Sequence, residues 1–125
     1  MALTDRSLKA LQGVHQDLVN VVHRADELTD LDFIVTEGLR TMRRQRELVA
    51  AGASKTLKSR HLTGHAVDFA PVVFGEICWK WPAFEPVAAA FKRAAVELKI
   101  QIEWGGDWKS FRDGPHVQLS RKSYP

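Results

Sequence analysis

Ser59-Arg60-His61-Leu62-Thr63-Gly64-His65-Ala66-Val67-Asp68 sets two histidines and an aspartate on either side of a Thr-Gly pair. His61 and His65 have the i, i+4 spacing of a helical zinc motif. Leu62 stands where such a helix needs its glutamate base, and Thr63-Gly64 are poor helix formers. A turn accounts for the stretch better. Fully extended, His61 to Asp68 would span about 23 Å at ~3.3 Å per residue. Two ligands of one zinc, each bound at about 2.0–2.2 Å, need donor atoms within a few Å of each other. The chain therefore reverses at Thr63-Gly64, and His61 faces Asp68 across the bend. On the strand that follows, Ala66 and Asp68 share one face and His65, Val67 and Phe69 the other. That arrangement makes His65 the weaker ligand candidate.

Two further segments complete the constellation. In Asp113-Gly114-Pro115-His116, glycine and proline favour a tight turn that brings the aspartate near the histidine. His116 and Gln118 then share a strand face, with Val117 and Leu119 toward the core. Two histidines and one aspartate leave a fourth zinc position open, the layout of a catalytic site suited to amide hydrolysis. Asp113 is the carboxylate placed to move a proton, although aspartate also commonly caps such a turn. Arg40, in Thr36-Glu37-Gly38-Leu39-Arg40-Thr41, follows a strand and a glycine and is a candidate for binding a carboxylate or a developing oxyanion.

Around these segments the pattern predicts a helix over 5–28, with Leu8, Leu11, Leu18, Val21, Val22, Ala25 and Leu28 recurring at helical spacing. It predicts a short strand at 33–36 and a helix over 40–51, with Met42, Leu48 and Val49 apolar and Gly52 past its end. A basic loop spans 53–60, and a strand at 66–70 meets Pro71. A helix starts near Pro82 and runs to Leu98, followed by strands at 100–104 and 116–119. The expected fold is α+β: one domain over 1–125 with a small, mostly antiparallel sheet and flanking helices.

The 125 residues suffice for one core, and 18 basic against 15 acidic residues give a formal charge of +3. With 45% hydrophobic and 26% charged residues, disorder and coiled coil are poor readings. The single cysteine, Cys78, excludes an intrachain disulfide and a thiolate-rich zinc site. The N-terminal stretch lacks the order of a secretory signal, and no apolar run approaches a membrane span. A cytoplasmic, soluble product without membrane insertion is expected, with an anionic partner.

Ser59-x-His61-x-x-Gly64-x-Ala66-x-Asp68 with a late Asp113-x-x-His116 resembles the VanY-like zinc peptidases. These include D-alanyl-D-alanine carboxypeptidases and phage endolysins that cut the L-alanyl-D-glutamate bond of peptidoglycan. Residues 55–68, Glu37-Gly38-Leu39-Arg40-Thr41 with Gln45, and Trp104-Gly105-Gly106-Asp107-Trp108 are most similar to the endolysin branch. The resemblance implies a hedgehog/D-Ala-D-Ala-peptidase-like fold, zinc bound by His61, Asp68 and His116, and Asp113 as general base and acid. It implies that Arg40 orients substrate or stabilises the tetrahedral intermediate, and that Ser59 hydrogen-bonds substrate. The implied partner is bacterial peptidoglycan, attacked by a monomer without a separate wall-binding domain. Such an enzyme waits in the host cytoplasm until the membrane is permeabilised and then reaches the wall.

Quieter readings stand beside these. His15 and His23 read as surface or core histidines, and Arg43, Arg44 and Arg46 as a solvated helix face. Lys55, Lys58 and Arg60 read as a basic loop able to attract an anionic wall. Trp79, Trp81, Trp104 and Trp108 read as core or rim, with a substrate groove as the sharper option. Glu103 and Asp107 are the carboxylates that compete with Asp113. The rival functions are a D-alanyl-D-alanine carboxypeptidase on the same fold and a non-catalytic, metal-stabilised module. Nucleic acid is not an expected partner, since no recognition helix or aromatic RNA motif is present.

Overall fold

In the computed structural model of the chain, residues 3–125 are described. The first region forms two helices rather than one, α1 (Asp5–Ala10) and α2 (Gln16–Leu28). Gly13 breaks them with φ +80, and the His15 Nδ1 caps α2 by accepting from the Asp17 N–H at 3.0 Å. The break has a packing cause. It lays the 10–14 backbone against two other glycines, so that a Cβ on Gly38 would lie 2.1 Å from the Ala10 carbonyl oxygen. A Cβ on Gly64 would lie 2.5 Å from the Gly13 oxygen. The His15 N–H also donates to the Gly64 carbonyl at 2.8 Å. A straight helix could not make these contacts, and Leu8 consequently points to solvent.

The remaining elements are β1 (Phe33–Glu37), α3 (Met42–Ala50), β2 (Ala66–Val73), β3 (Glu76–Ile77), α4 (Trp81–Leu98), β4 (Ile102–Trp104) and β5 (His116–Leu119). α3 begins two residues later than expected because the Thr41 Oγ1 accepts from the Arg44 N–H at 3.1 Å and caps it there. Its end is as expected, with Gly52 left-handed at φ +76 just beyond. β2 continues through Pro71 to Val73, then reverses through Phe74-Gly75 into β3, a hairpin the sequence pattern did not show. Met42 and Leu98, expected on apolar sides, are exposed.

The sheet runs β1-β2-β5-β4, antiparallel throughout, with β3 paired to the far end of β2. α2 and α4 cover one face. There Leu18, Val21, Val22 and Ala25 of α2 meet Val87, Phe91, Ala94 and Ala95 of α4 over Phe33, Phe69, Val117 and Leu119. Phe69 stacks on Phe91 with centroids 5.2 Å apart. Truncating a ring at this centre costs about 3–5 kcal/mol. The other face carries a row of polar side chains. Asp68 pairs with His116 across β2 and β5, and a bulge in β1 between Val35 and Glu37 brings Glu37 opposite Asp68. No helix of the described residues is long and apolar enough to cross a membrane.

Candidate active site

The predicted reversal is a 3-10 turn over Arg60–Thr63 that ends on left-handed Gly64, φ +73. Ser59 caps it, its Oγ accepting from the His61 N–H at 3.2 Å. The turn delivers the His61 ring to the polar face, 98% buried. Its Nδ1–H donates to the Gly38 carbonyl at 2.8 Å, so Nε2 is bare, and it points at Asp68 Oδ1 from 3.2 Å. His116 is arranged the opposite way round. Its Nε2–H donates to Gln118 Oε1 at 2.9 Å, and its bare Nδ1 lies 3.4 Å from the same Asp68 oxygen.

With both rings neutral, three electron-pair donors converge, all within 4.8 Å of one another. Such a group repels itself unless a proton or a metal cation stands among its members. Two ligands at about 2.0–2.1 Å and a tetrahedral angle stand about 3.4 Å apart, close to the 3.2 and 3.4 Å that separate the two ring nitrogens from Asp68 Oδ1. The donor set and its outer hydrogen bonds, which fix each ring's tautomer, therefore fit a divalent metal. Burial pushes the Asp68 carboxyl up, but His116 and His61 outweigh it and hold it well below the usual carboxylate range.

His61, Asp68 and His116 open onto a cavity of about 750 Å³, which Ser59, Arg40 and Asp113 also line. The Asp113 N–H donates to the Gly105 carbonyl at 3.0 Å. Gly105 must be a glycine there, since a Cβ would lie 2.3 Å from the Asp113 carbonyl oxygen. The Asp113 carboxylate takes part in no hydrogen bond among the described residues. Burial and then the Asp68 charge push it up, only partly offset by His116, His61 and Arg40. Glu103 and Asp107 do not line the cavity. Glu103 accepts from the Arg121 N–H at 3.2 Å, and Asp107 pairs with Lys92 at 2.7 Å. His65 lies apart from the cluster, bonded to Thr63 and beside His15.

Arg40 reaches the site, but not as a free guanidinium. Its Nε and Nη2 donate to the two Glu37 oxygens at 2.7 and 2.8 Å, and Nη1 donates to Gln45 Oε1 at 2.7 Å. Nη2 also lies 3.6 Å from Asp68 Oδ2. Burial lowers the Arg40 pKa, yet the Glu37 pair more than restores it. Sequence reasoning gave Gln45 and Gln118 no role of their own. Gln45 is wholly buried in α3 and links Arg40 to the Ser54 hydroxyl, a link invisible in a short amphipathic segment. Gln118 was visible as the residue two beyond His116 on the same face. Trp108 lies with its ring 5.2 Å from that of His116, in the cavity wall. Trp104 is core instead, its Nε1–H bonded to the Gly114 carbonyl at 2.7 Å.

The family described as phage L-alanyl-D-glutamate peptidase matches residues 1–122 of this chain. The L-alanyl-D-glutamate peptidase of Escherichia phage T5 is 38% identical over 122 residues, covering 94% of this chain and 88% of that protein. The crystal structure of the Serratia marcescens L-Ala D-Glu endopeptidase ChiX superposes with a TM-score of 0.94 at 50% identity, over all of this chain and 94% of the other. A vancomycin-resistance D,D-dipeptidase, VanXYg, shares the fold at a TM-score of 0.54 and 15% identity, over 85% of this chain and 50% of its own. The chain belongs to the phage L-alanyl-D-glutamate peptidase family.

Proposed function

We propose that this peptidase hydrolyses the L-alanyl-D-glutamate bond of peptidoglycan with zinc held by His61, Asp68 and His116, and with Asp113 as general base and then general acid. The observation that carries the reading is the convergence of three bare ligand atoms beside one unpartnered carboxylate in a single cavity. When bound, zinc supplies a Lewis acid that polarises the scissile carbonyl and acidifies water. The chain's own residues do the rest. Asp113, uncommitted and raised in pKa, takes a proton from the attacking water and returns it to the departing glutamate nitrogen. Asp68 presents one oxygen to the metal position, and Arg40 holds the other. Arg40 is then a positioning residue rather than a substrate clamp. Ser59 Oγ accepts from the turn and keeps its own hydrogen to donate to substrate.

We place the action at the wall of an infected bacterium, on the strength of the phage family. Digestion of purified sacculi tests the reading. New L-alanine carboxyl ends and D-glutamate amino ends are expected. Release of free D-alanine without loss of alanyl-glutamate linkages would instead assign a D,D-carboxypeptidase.

A further inference from the structure

Six basic side chains line the catalytic cavity, Arg40, Lys55, Lys58, Arg60, Arg112 and Arg121, against the acids Glu37, Asp68 and Asp113. Three of the six are committed. Arg40 is held by Glu37 and Gln45. Arg60 donates through Nη2 to the Leu119 and Tyr124 carbonyls at 3.2 and 2.6 Å. Arg112 donates to the Gly106 carbonyl and lies 4.2 Å over the Trp81 ring. The side chains of Lys55, Lys58 and Arg121 make no hydrogen bond or ion pair among the described residues. On the acidic side Glu37 is neutralised by Arg40, and Asp68 faces the two histidines. The cavity is therefore positive before any metal enters, and it suits an anionic peptide.

Arg121 is the best anchored of the three uncommitted cations. It follows β5, the strand that bears His116, and its N–H is tied to Glu103. Lys58 immediately precedes Ser59, the cap of the His61 turn, and lines the same cavity as the His61, Asp68 and His116 cluster.

Resting on the reading of the reaction given above, we propose that Arg121 and Lys58 form the subsite for the free α-carboxylate of the D-glutamate on the leaving side of the cut. Because this glutamate is joined through its γ-carboxyl, its α-carboxylate is unsubstituted and sits on the carbon bonded to the scissile nitrogen. It enters the cavity with the reacting amide. The subsite makes the enzyme selective for glutamate over its α-amide, isoglutamine, which has nearly the same shape and no charge.

The test compares kcat/KM on N-acetyl-L-alanyl-γ-D-glutamyl-L-lysine and on its isoglutaminyl analogue, for the zinc-loaded full chain. Wild type is expected to prefer the acid by about tenfold, a preference that added salt erodes. Arg121→Gln should lower kcat/KM on the acid about fivefold more than on the amide, and Arg121→Gln with Lys58→Gln should remove the preference. Both side chains are exposed, so thermal midpoint and zinc content should stay at wild-type values. No preference in wild type, or equal losses on both peptides in the variants, overturns the subsite. Failure to release N-acetyl-L-alanine from either peptide overturns the underlying reaction instead.

Discussion

His61 Nε2 and Asp68 Oδ1 face each other at 3.2 Å, and in the neutral ring the one hydrogen is given to Gly38, so nothing bridges the pair. Metal binding should therefore relieve repulsion as well as form bonds. Zinc at about 100 times its dissociation constant should stabilise the fold by about 2.7 kcal/mol. That raises the thermal midpoint by roughly 6–15 °C, and a chelator should reverse it. His116→Ala should lose most of the zinc-dependent shift, read by calorimetry with metal analysis of the dialysed protein.

Asp113→Asn removes the proposed base without touching His61, Asp68 and His116. kcat should fall by about 10²–10⁴-fold while zinc stoichiometry is retained. A variant that hydrolyses sacculi at the wild-type rate, or that arrives without zinc, would remove Asp113 from the role assigned to it.

The same carboxylate sets a pH dependence. Burial and Asp68 raise its pKa, so it stays protonated to a higher pH than an ordinary aspartate. As base it must be ionised, so kcat/KM should fall as pH drops through the Asp113 pKa of the zinc-loaded enzyme, which bound zinc pulls below its metal-free value, and Asp113→Glu should move the acid limb. For stability the sign is opposite. A carboxyl raised in the folded state contributes stability at low pH that is lost as pH rises from its unfolded to its folded pKa. Metal-free Asp113→Asn should therefore be slightly more stable than wild type at neutral pH, in denaturant titrations of both.

Arg40→Lys tests whether that residue supports Asp68 or binds substrate. Lysine keeps the charge but cannot reach Glu37 by two parallel bonds and Gln45 together. Stability should drop by about 2–3 kcal/mol and zinc affinity by about tenfold. A raised KM with unchanged zinc affinity would restore the substrate-binding role.

Gly38→Ala places a methyl 2.1 Å from the Ala10 oxygen and 2.7 Å from Val14 Cγ2. The clash should cost about 1–3 kcal/mol or more and displace the carbonyl that orients His61. Lower zinc affinity should accompany the loss of stability in urea titrations.

How far the sequence could be read follows from how local each signal is. The His61–Asp68 reversal was legible because both residues and a Thr-Gly pair lie within one turn and one strand. His116 and Gln118 followed from strand alternation alone. The break at Gly13 was not legible, since its cause is a backbone meeting with Gly38 and Gly64 far along the chain. The commitments of Arg40 were hidden for the same reason. Its partner Glu37 lies three residues away but faces Asp68 only through a bulge, and Gln45 reads as part of a polar helix. The Phe74-Gly75 hairpin escaped because Phe74 adopts φ +51, which phenylalanine rarely does.

The strand order carries a consequence for synthesis. β5 is the interior strand between β2 and β4, although it follows both in the chain. On a ribosome, β1 through β4 emerge before the strand that joins β4 to the sheet. Until residue 119 is free, β4 lacks its ladder partner and the metal cluster lacks His116. Translation thus yields a wall-cutting centre only once β5 has emerged, and a product interrupted before β5 carries no assembled cutter.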